Sequence, residues 1–258
     1  MSNLEQNLIL EKISKGQTAI GTWVRTFRTP FIAQALSIAG FDFMYIDMEH
    51  GCYNMETVAH MCFAALKSGI TPVVRPSSND PCMMTRPLDN GAMGLIVPHV
   101  DTKEEAEAVI EAVRFRPLGN RGMSLQGVHT GFAKAVGDEY TAWANSNQII
   151  IVQIESKKGI ENIDSILSVE GINGAVIGRS DLSHDLGYPG QKNHPEVIRR
   201  VEYLIEACNY HDVYPGLLVD STSSANEWIS KGIKIMPISN DVSILIKEGS
   251  RMVKEIKM

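Results

Sequence analysis

Four short polar clusters interrupt long apolar stretches of the chain, and their residue types are those of acid–base and metal chemistry. Asp47-Met48-Glu49-His50-Gly51 sets a histidine beside two acids. A histidine held by a carboxylate is a ready general acid or base near neutral pH. Arg75 closes the run TPVVR, where a fixed guanidinium can bind a carboxylate or stabilise a developing oxyanion. Gln153-Ile154-Glu155 and Arg179-Ser180-Asp181 supply two carboxylates 26 residues apart. Two acids converging on one point repel unless a cation or a shared proton relieves them. Hard oxygen donors without clustered Cys or His suit a divalent ion such as Mg²⁺ or Mn²⁺. Each cluster also has a plainer reading. His50 could be a satisfied, half-buried histidine, and Arg75 the counter-charge of Asp47 or Glu155. Glu155 could pair at the surface with Lys157 or Lys158. Trp23 and Arg25 end another apolar run, with Arg28 close behind, and a solvated loop accounts for these arginines equally well.

Other chemistries find no support. HExxH, Walker A, GxGxxG and GxSxG motifs are all absent. The four cysteines, Cys52, Cys62, Cys82 and Cys208, form no CxxC pair or zinc-like cluster and read as reduced thiols. A Schiff-base lysine would stand inside the fold, but the apolar runs hold almost none. Lys234 lies at the early end of its run.

The clusters must be positioned by the elements between them. Apolar runs over 19–24, 43–47, 71–75, 94–98, 149–155, 174–178, 214–219 and 233–238 predict strands. Amphipathic stretches near 30–39, 54–68, 80–90, 102–114, 158–168, 194–211, 221–231 and 241–256 predict helices. Asp101-Thr102 and Asp220-Ser221 are start signals, and Gly40, Gly69, Gly91 and Gly232 are stops. Eight strands alternating with eight helices imply parallel pairing, and their regularity favours a closed (β/α)₈ TIM barrel, one domain over 1–258, above an open doubly wound sheet. In such a barrel the site lies at the C-terminal strand ends. Trp23, Asp47, His50, Arg75, Gln153, Glu155 and Asp181 all fall there, and among seven histidines His50 is the one read at a strand end beside acids. The stretch 115–148 reads as a long irregular connection, a place for function or subunit contact.

Composition agrees with a chain that buries a substantial core. Of 258 residues 44% are hydrophobic and 21% charged, which excludes a disordered tail. Lys and Arg total 24 against 30 acids, for a net charge of −6, and no basic run suggests nucleic acid. The opening MSNLEQNLILEKISKG lacks a signal-peptide pattern, and the apolar runs are too short to span a bilayer. The expectation is a cytoplasmic protein without a membrane partner.

Six segments together resemble the HpcH/HpaI family of metal-dependent pyruvate aldolases: AGFDFMYIDMEHG (39–51), PVVRPSSNDP (72–81), GLIVPHVDTKEEAE (94–107), RFRPLGNRG (114–122), VQIES (152–156) and IGRSDLSHDLGYPGQKNHPEV (177–197). The family includes 4-hydroxy-2-oxoheptanedioate and 2-keto-3-deoxy sugar-acid aldolases. The resemblance implies reversible cleavage of 4-hydroxy-2-oxo acids to pyruvate and an aldehyde, with Mg²⁺, Mn²⁺ or Co²⁺. It implies metal ligands at Glu155 and Asp181, a catalytic His50 supported by Asp47, and a pyruvate-binding Arg75. Gln153, Trp23 and the backbone around Gly178 and Ser180 would complete the substrate site. It further implies a C-terminal helix packed against a neighbouring subunit and a homo-oligomer, commonly a hexamer of three dimers. Arg179 stands where the family usually has proline, a change that would loosen the metal loop or add an anion contact, and Arg25 stands where it has a small or apolar residue. Two rivals remain: an acyl-CoA lyase like the citrate-lyase β-subunit, and a non-catalytic 2-oxo-acid-binding barrel.

Overall fold

A computed structural model describes residues 5–256. Its strands are β1 (Ala19–Val24), β2 (Phe43–Asp47), β3 (Thr71–Arg75), β4 (Gly94–Val97), β5 (Ile149–Ile154), β6 (Gly174–Ile177), β7 (Tyr214–Leu217) and β8 (Ile235–Asn240). They pair in parallel and in sequence order, and β1 pairs with β8 to close the barrel. The helices are α1 (Leu8–Ser14), α2 (Ile32–Ile38), α3 (Met55–Lys67), α4 (Pro81–Asp89), α5 (Lys103–Val113), α6 (Gly137–Asn147), α7 (Lys157–Glu161), α8 (Ile163–Leu167), α9 (Arg179–Asp185), α10 (Pro195–Tyr210), α11 (Thr222–Ser230) and α12 (Asp241–Ile256).

The near-continuous apolar strands are buried on both faces, as parallel strands under helices must be. Every residue of the β5 run IIIVQI is buried. Val73, Ile96, Ile149, Ile151 and Val176 fill the barrel interior, while Val74, Leu95, Val97, Ile150 and Val152 face the helices. The start signals act as expected. Thr102 and Glu105 form a reciprocal capping box on α5, and the Ser221 side chain caps α11.

Besides the unexpected short helix α9, three departures from the sequence reading have local causes. The expected helix 158–168 is two short helices, α7 and α8, meeting at Asn162, whose side chain bonds the carbonyl of Asp101 instead of facing solvent. The stretch 115–148 is not wholly irregular. It contains α6 and a 3₁₀ turn at Val128–Thr130, tied down by the buried Arg114, which donates to the carbonyls of Asn145 and Gln148. The N-terminal segment forms α1, which puts Ile9 and Ile13 into the barrel's N-terminal end. Asn7 anchors it by donating to the carbonyls of Met93 and Asn147. The active end is thus the opposite one. Among the described residues, no helix is long and apolar enough to cross a membrane.

Candidate active site

Register builds the first part of the site. Parallel pairing of β2 and β3 sets Asp47 beside Arg75, and pairing of β1 and β2 sets Trp23 beside Tyr45. Asp47 is fully buried, so its carboxylate must find partners. Arg75 supplies a fork: Nε donates to Oδ1 and Nη2 to Oδ2, both at 2.8 Å. Trp23 Nε1 donates to Oδ2 at 3.0 Å, and the main-chain N–H groups of Glu49 and His50 donate to Oδ1 at 3.0 and 3.3 Å. The counter-charge reading of Arg75 is therefore correct, and it leaves room for a second role. The third nitrogen, Nη1, lies 2.8 Å from Glu49 Oε2; the bonds to Asp47 use two of the five guanidinium N–H groups, and Arg75 lines the cavity. Burial raises the Tyr45 hydroxyl far above its ordinary value, so the ring beside Arg75 stays neutral.

Asp47 holds His50 through the main chain, not through the imidazole. The ring makes no hydrogen bond among the described residues and opens onto the cavity, exposed. Its turn depends on Gly51, where a Cβ would lie 2.0 Å from the Asp47 carbonyl oxygen.

Glu155, just past β5, is 4% exposed and makes no ion pair with Lys157 or Lys158, which removes the surface-pair reading. Gln153 Nε2 donates to its Oε2 at 2.5 Å, and the His99 main-chain N–H donates to Oε1 at 3.0 Å. Burial pushes the Glu155 carboxyl above its usual range, against the lowering pull of Gln153 and His99. Gly178, at the end of β6, is the cradle for this carboxylate. A Cβ there would sit 2.5 Å from Glu155 Oε2. Asp181, in the first turn of α9, is exposed, lines the same cavity and has no ion pair among the described residues.

The cavity, about 340 Å³, opens at the C-terminal strand ends. Trp23, His50, Arg75, Gln153, Gly178, Ser180 and Asp181 line it. Asp47 and Glu155 stand directly behind that lining; Asp47 accepts from Trp23, Arg75 and the His50 main chain, and Glu155 from Gln153. All nine expected site residues therefore gather at one mouth.

His99 was missed, and the statement that His50 alone sits at a strand end beside acids is corrected. His99 follows β4 at φ 55°. Its Nδ1 lies 2.9 Å from Glu155 Oε1 and its Nε2 2.9 Å from Glu49 Oε1. Glu49, His99 and Glu155 thus bring donor atoms within 4.8 Å of one another, a second set able to hold a cation. The sequence signal was the histidine in IVPHV, hidden because Pro98 ends the apolar run one residue earlier.

Arg179 is neither a loosened loop nor a free anion contact. It is buried, donating to the Leu218 carbonyl at 2.8 Å and to Asn193 Oδ1 at 3.3 Å. It ties the start of α9 to the end of β7. Burial lowers its basicity, partly offset by Asp220.

The chain matches the family described as HpcH/HpaI aldolase/citrate lyase over residues 19–247. It is 35% identical over 246 residues to a 2-keto-3-deoxy-L-rhamnonate aldolase of Salmonella paratyphi B, covering 95% of this chain and 91% of that one. A crystal structure of an HpcH/HpaI aldolase from Desulfitobacterium hafniense superposes with a TM-score of 0.90 at 31% identity, covering 96% of both chains. The citrate synthase SbnG superposes with a TM-score of 0.86 at 28% identity, again over 96% of both. The chain belongs to the HpcH/HpaI aldolase/citrate lyase family and is an enzyme of the aldolase type, a carbon–carbon lyase.

Proposed function

We propose that the enzyme reversibly cleaves 4-hydroxy-2-oxo acids to pyruvate and an aldehyde with a divalent metal ion, in the cytoplasm. The candidate substrates are of the 4-hydroxy-2-oxoheptanedioate or 2-keto-3-deoxy sugar-acid type. The observation that carries the reading is the gathering of Glu155, Asp181, Arg75 and His50 at one cavity.

The donor set fits a hard dication. Glu155 is a carboxylate held in place by Gln153, with Gly178 leaving space against it. Of the two sets that share Glu155, the one with Asp181 is favoured. Glu49 already faces the Arg75 guanidinium, which would repel a cation, whereas Asp181 carries no counter-charge among the described residues. Held there as Mg²⁺, Mn²⁺ or Co²⁺, a metal ion supplies Lewis-acid polarisation of the 2-keto group. The chain's own residues do the rest. The remaining N–H groups of Arg75 face the oxygen on which enolate charge develops, and Asp47 keeps the fork from turning away. His50, free of internal partners, takes the 4-hydroxyl proton, directly or through water. The N-terminal turn of α9, from Gly178 to Ser180, receives the carboxylate.

The homo-oligomer is proposed on α12. Only Asp241 of this helix is buried, and Leu245, Ile246, Met252, Val253 and Ile256 are exposed. Such a face suits exchange with a neighbouring subunit in a dimer, and three dimers in a hexamer.

The test is pyruvate release from a panel of 4-hydroxy-2-oxo acids, with chelated enzyme and after metal is restored. Release that depends on the metal supports the reading. Release from no member, or full activity in chelator, overturns it.

A further inference from the structure

The cavity is lined by four lysine and arginine side chains, Arg25, Arg75, Arg179 and Lys192, and three of them are already engaged. Arg75 is held by Asp47 and Glu49, Arg179 by Leu218 and Asn193, and Lys192 Nζ lies 3.5 Å from Asp220 Oδ2. Arg25 is the exception. Its guanidinium meets no acceptor among the described residues and lies 4.7 Å from the centroid of the Trp23 ring, on the cavity wall. A guanidinium stacked on an aromatic face keeps its N–H fork in plane, the geometry that binds a carboxylate or phosphate through two oxygens.

Arg25 does not sit on a loose loop. The buried Asp241 carboxylate accepts through a single oxygen, Oδ2, from the main-chain N–H groups of Arg25, Thr26 and Phe27 at 3.3, 2.9 and 2.8 Å. The Arg25 carbonyl accepts the Cys52 N–H at 3.3 Å. The backbone that carries the free cation is therefore fixed, and most of the cost of orienting it is met on folding.

Its place on the rim decides which part of a substrate it meets. Arg25 follows β1, while Glu155, Gly178, Ser180 and Asp181 follow β5 and β6, and β7 and β8 lie between β6 and β1 around the barrel. An anion at Arg25 is thus a different group from the carboxylate received near Gly178. Val176, Leu218 and Pro237 give the wall in between apolar surface for a short carbon chain, with Asp220 and Asn240 beside them.

We propose that Arg25 is a specificity-determining residue that binds an anionic group, a carboxylate or a phosphate, on the aldehyde partner. The preferred substrate is then a 4-hydroxy-2-oxo acid with a second anion at its far end, in place of the neutral tail of a sugar acid. The inference rests on the aldolase reading above and leaves its chemistry unaltered. The C3–C4 bond breaks, the 4-hydroxyl loses its proton as the aldehyde forms, and the bonding pair passes to the pyruvate enolate, which is protonated at C3. The distal anion leaves unchanged on the aldehyde.

The test compares kcat/KM for condensation of pyruvate, by the Mn²⁺-loaded enzyme, within two pairs of aldehydes. One pair is 4-oxobutanoate and its methyl ester; the other is glyceraldehyde 3-phosphate and glyceraldehyde. The wild type should favour the anionic member of one pair by about tenfold or more, the scale of a charge-assisted hydrogen bond, and the pair that responds identifies the anion. Arg25→Ser should abolish that preference, mostly through KM, and Arg25→Lys should keep part of it. An unchanged thermal midpoint would show that the variants are folded. Equal kcat/KM within both pairs, or a preference that survives Arg25→Ser, overturns the proposal. Exchange of pyruvate methyl protons by the wild type without aldehyde separates the two failures. Exchange without anion preference removes the role of Arg25 alone; no exchange removes the aldolase reading and this inference with it.

Discussion

A buried carboxylate with five donors around it seldom acts as a catalyst in its own right, and Asp47 is in that position. Its work is to fix Arg75 and the turn that carries His50. The roles of those two can be separated by kinetics. His50→Ala should lower kcat by on the order of a hundred-fold, the usual scale for a positioned acid or base, with metal affinity unchanged; unaltered turnover would reassign the ring to solvent. Arg75→Lys keeps the charge but loses the fork that Asp47 grips. It should cut kcat by roughly a hundred-fold rather than raise KM alone, because the lost donors act where charge develops. A KM effect with kcat spared would make Arg75 a binding residue only. Most of these residues were legible in the sequence because each polar residue interrupts an apolar run. His99 and its pairing with Glu49 were not, because their meeting depends on a left-handed turn at His99. The partner of the His50 backbone was legible too, but not that the imidazole itself stands free.

At the scale of elements, two positions outside the reacting groups should be as sensitive as those inside. At Gly178 a side chain would meet Glu155 Oε2 at 2.5 Å and its Cβ at 2.8 Å. Gly178→Ala should therefore weaken Mn²⁺ binding at least tenfold, read by water-proton relaxation, while the barrel stays folded; unchanged binding would move the metal off Glu155. At Asp241, removal of the carboxylate strands the N–H groups of the Arg25–Phe27 loop. Asp241→Ala should cost roughly 3 kcal/mol, measured by urea unfolding. All eight strands were readable from apolar runs, because a parallel barrel buries both faces of each strand. Elements set by distant contacts were not. The seven residues of α1 hold together through Asn7 reaching Met93 and Asn147, a tie that no local periodicity shows. Likewise α9 is short and begins at the buried Arg179, whose bond to Leu218 exists only once β6 and β7 are paired.

The whole molecule separates a closed end from a working end. Burial raises the Cys62 and Cys208 thiols well above their ordinary values, whereas Cys52 and Cys82 are exposed. A thiol reagent should therefore label two cysteines in the folded enzyme and four in denaturant. The proposed assembly rests on the exposed apolar face of α12. Leu245→Glu with Ile246→Glu should reduce the mass found by light scattering to that of a smaller species, and an unchanged mass would place the interface elsewhere. The central claim is that this barrel makes a pyruvate enolate with a divalent metal and not through a lysine. The direct measurement is exchange of pyruvate methyl protons with deuterated water, followed by NMR without any aldehyde, first in chelator and then with Mg²⁺ restored. Exchange should be absent in chelator, return with the metal, and stay absent in Glu155→Gln. Full exchange in chelator, together with borohydride trapping of pyruvate on a lysine, would contradict it.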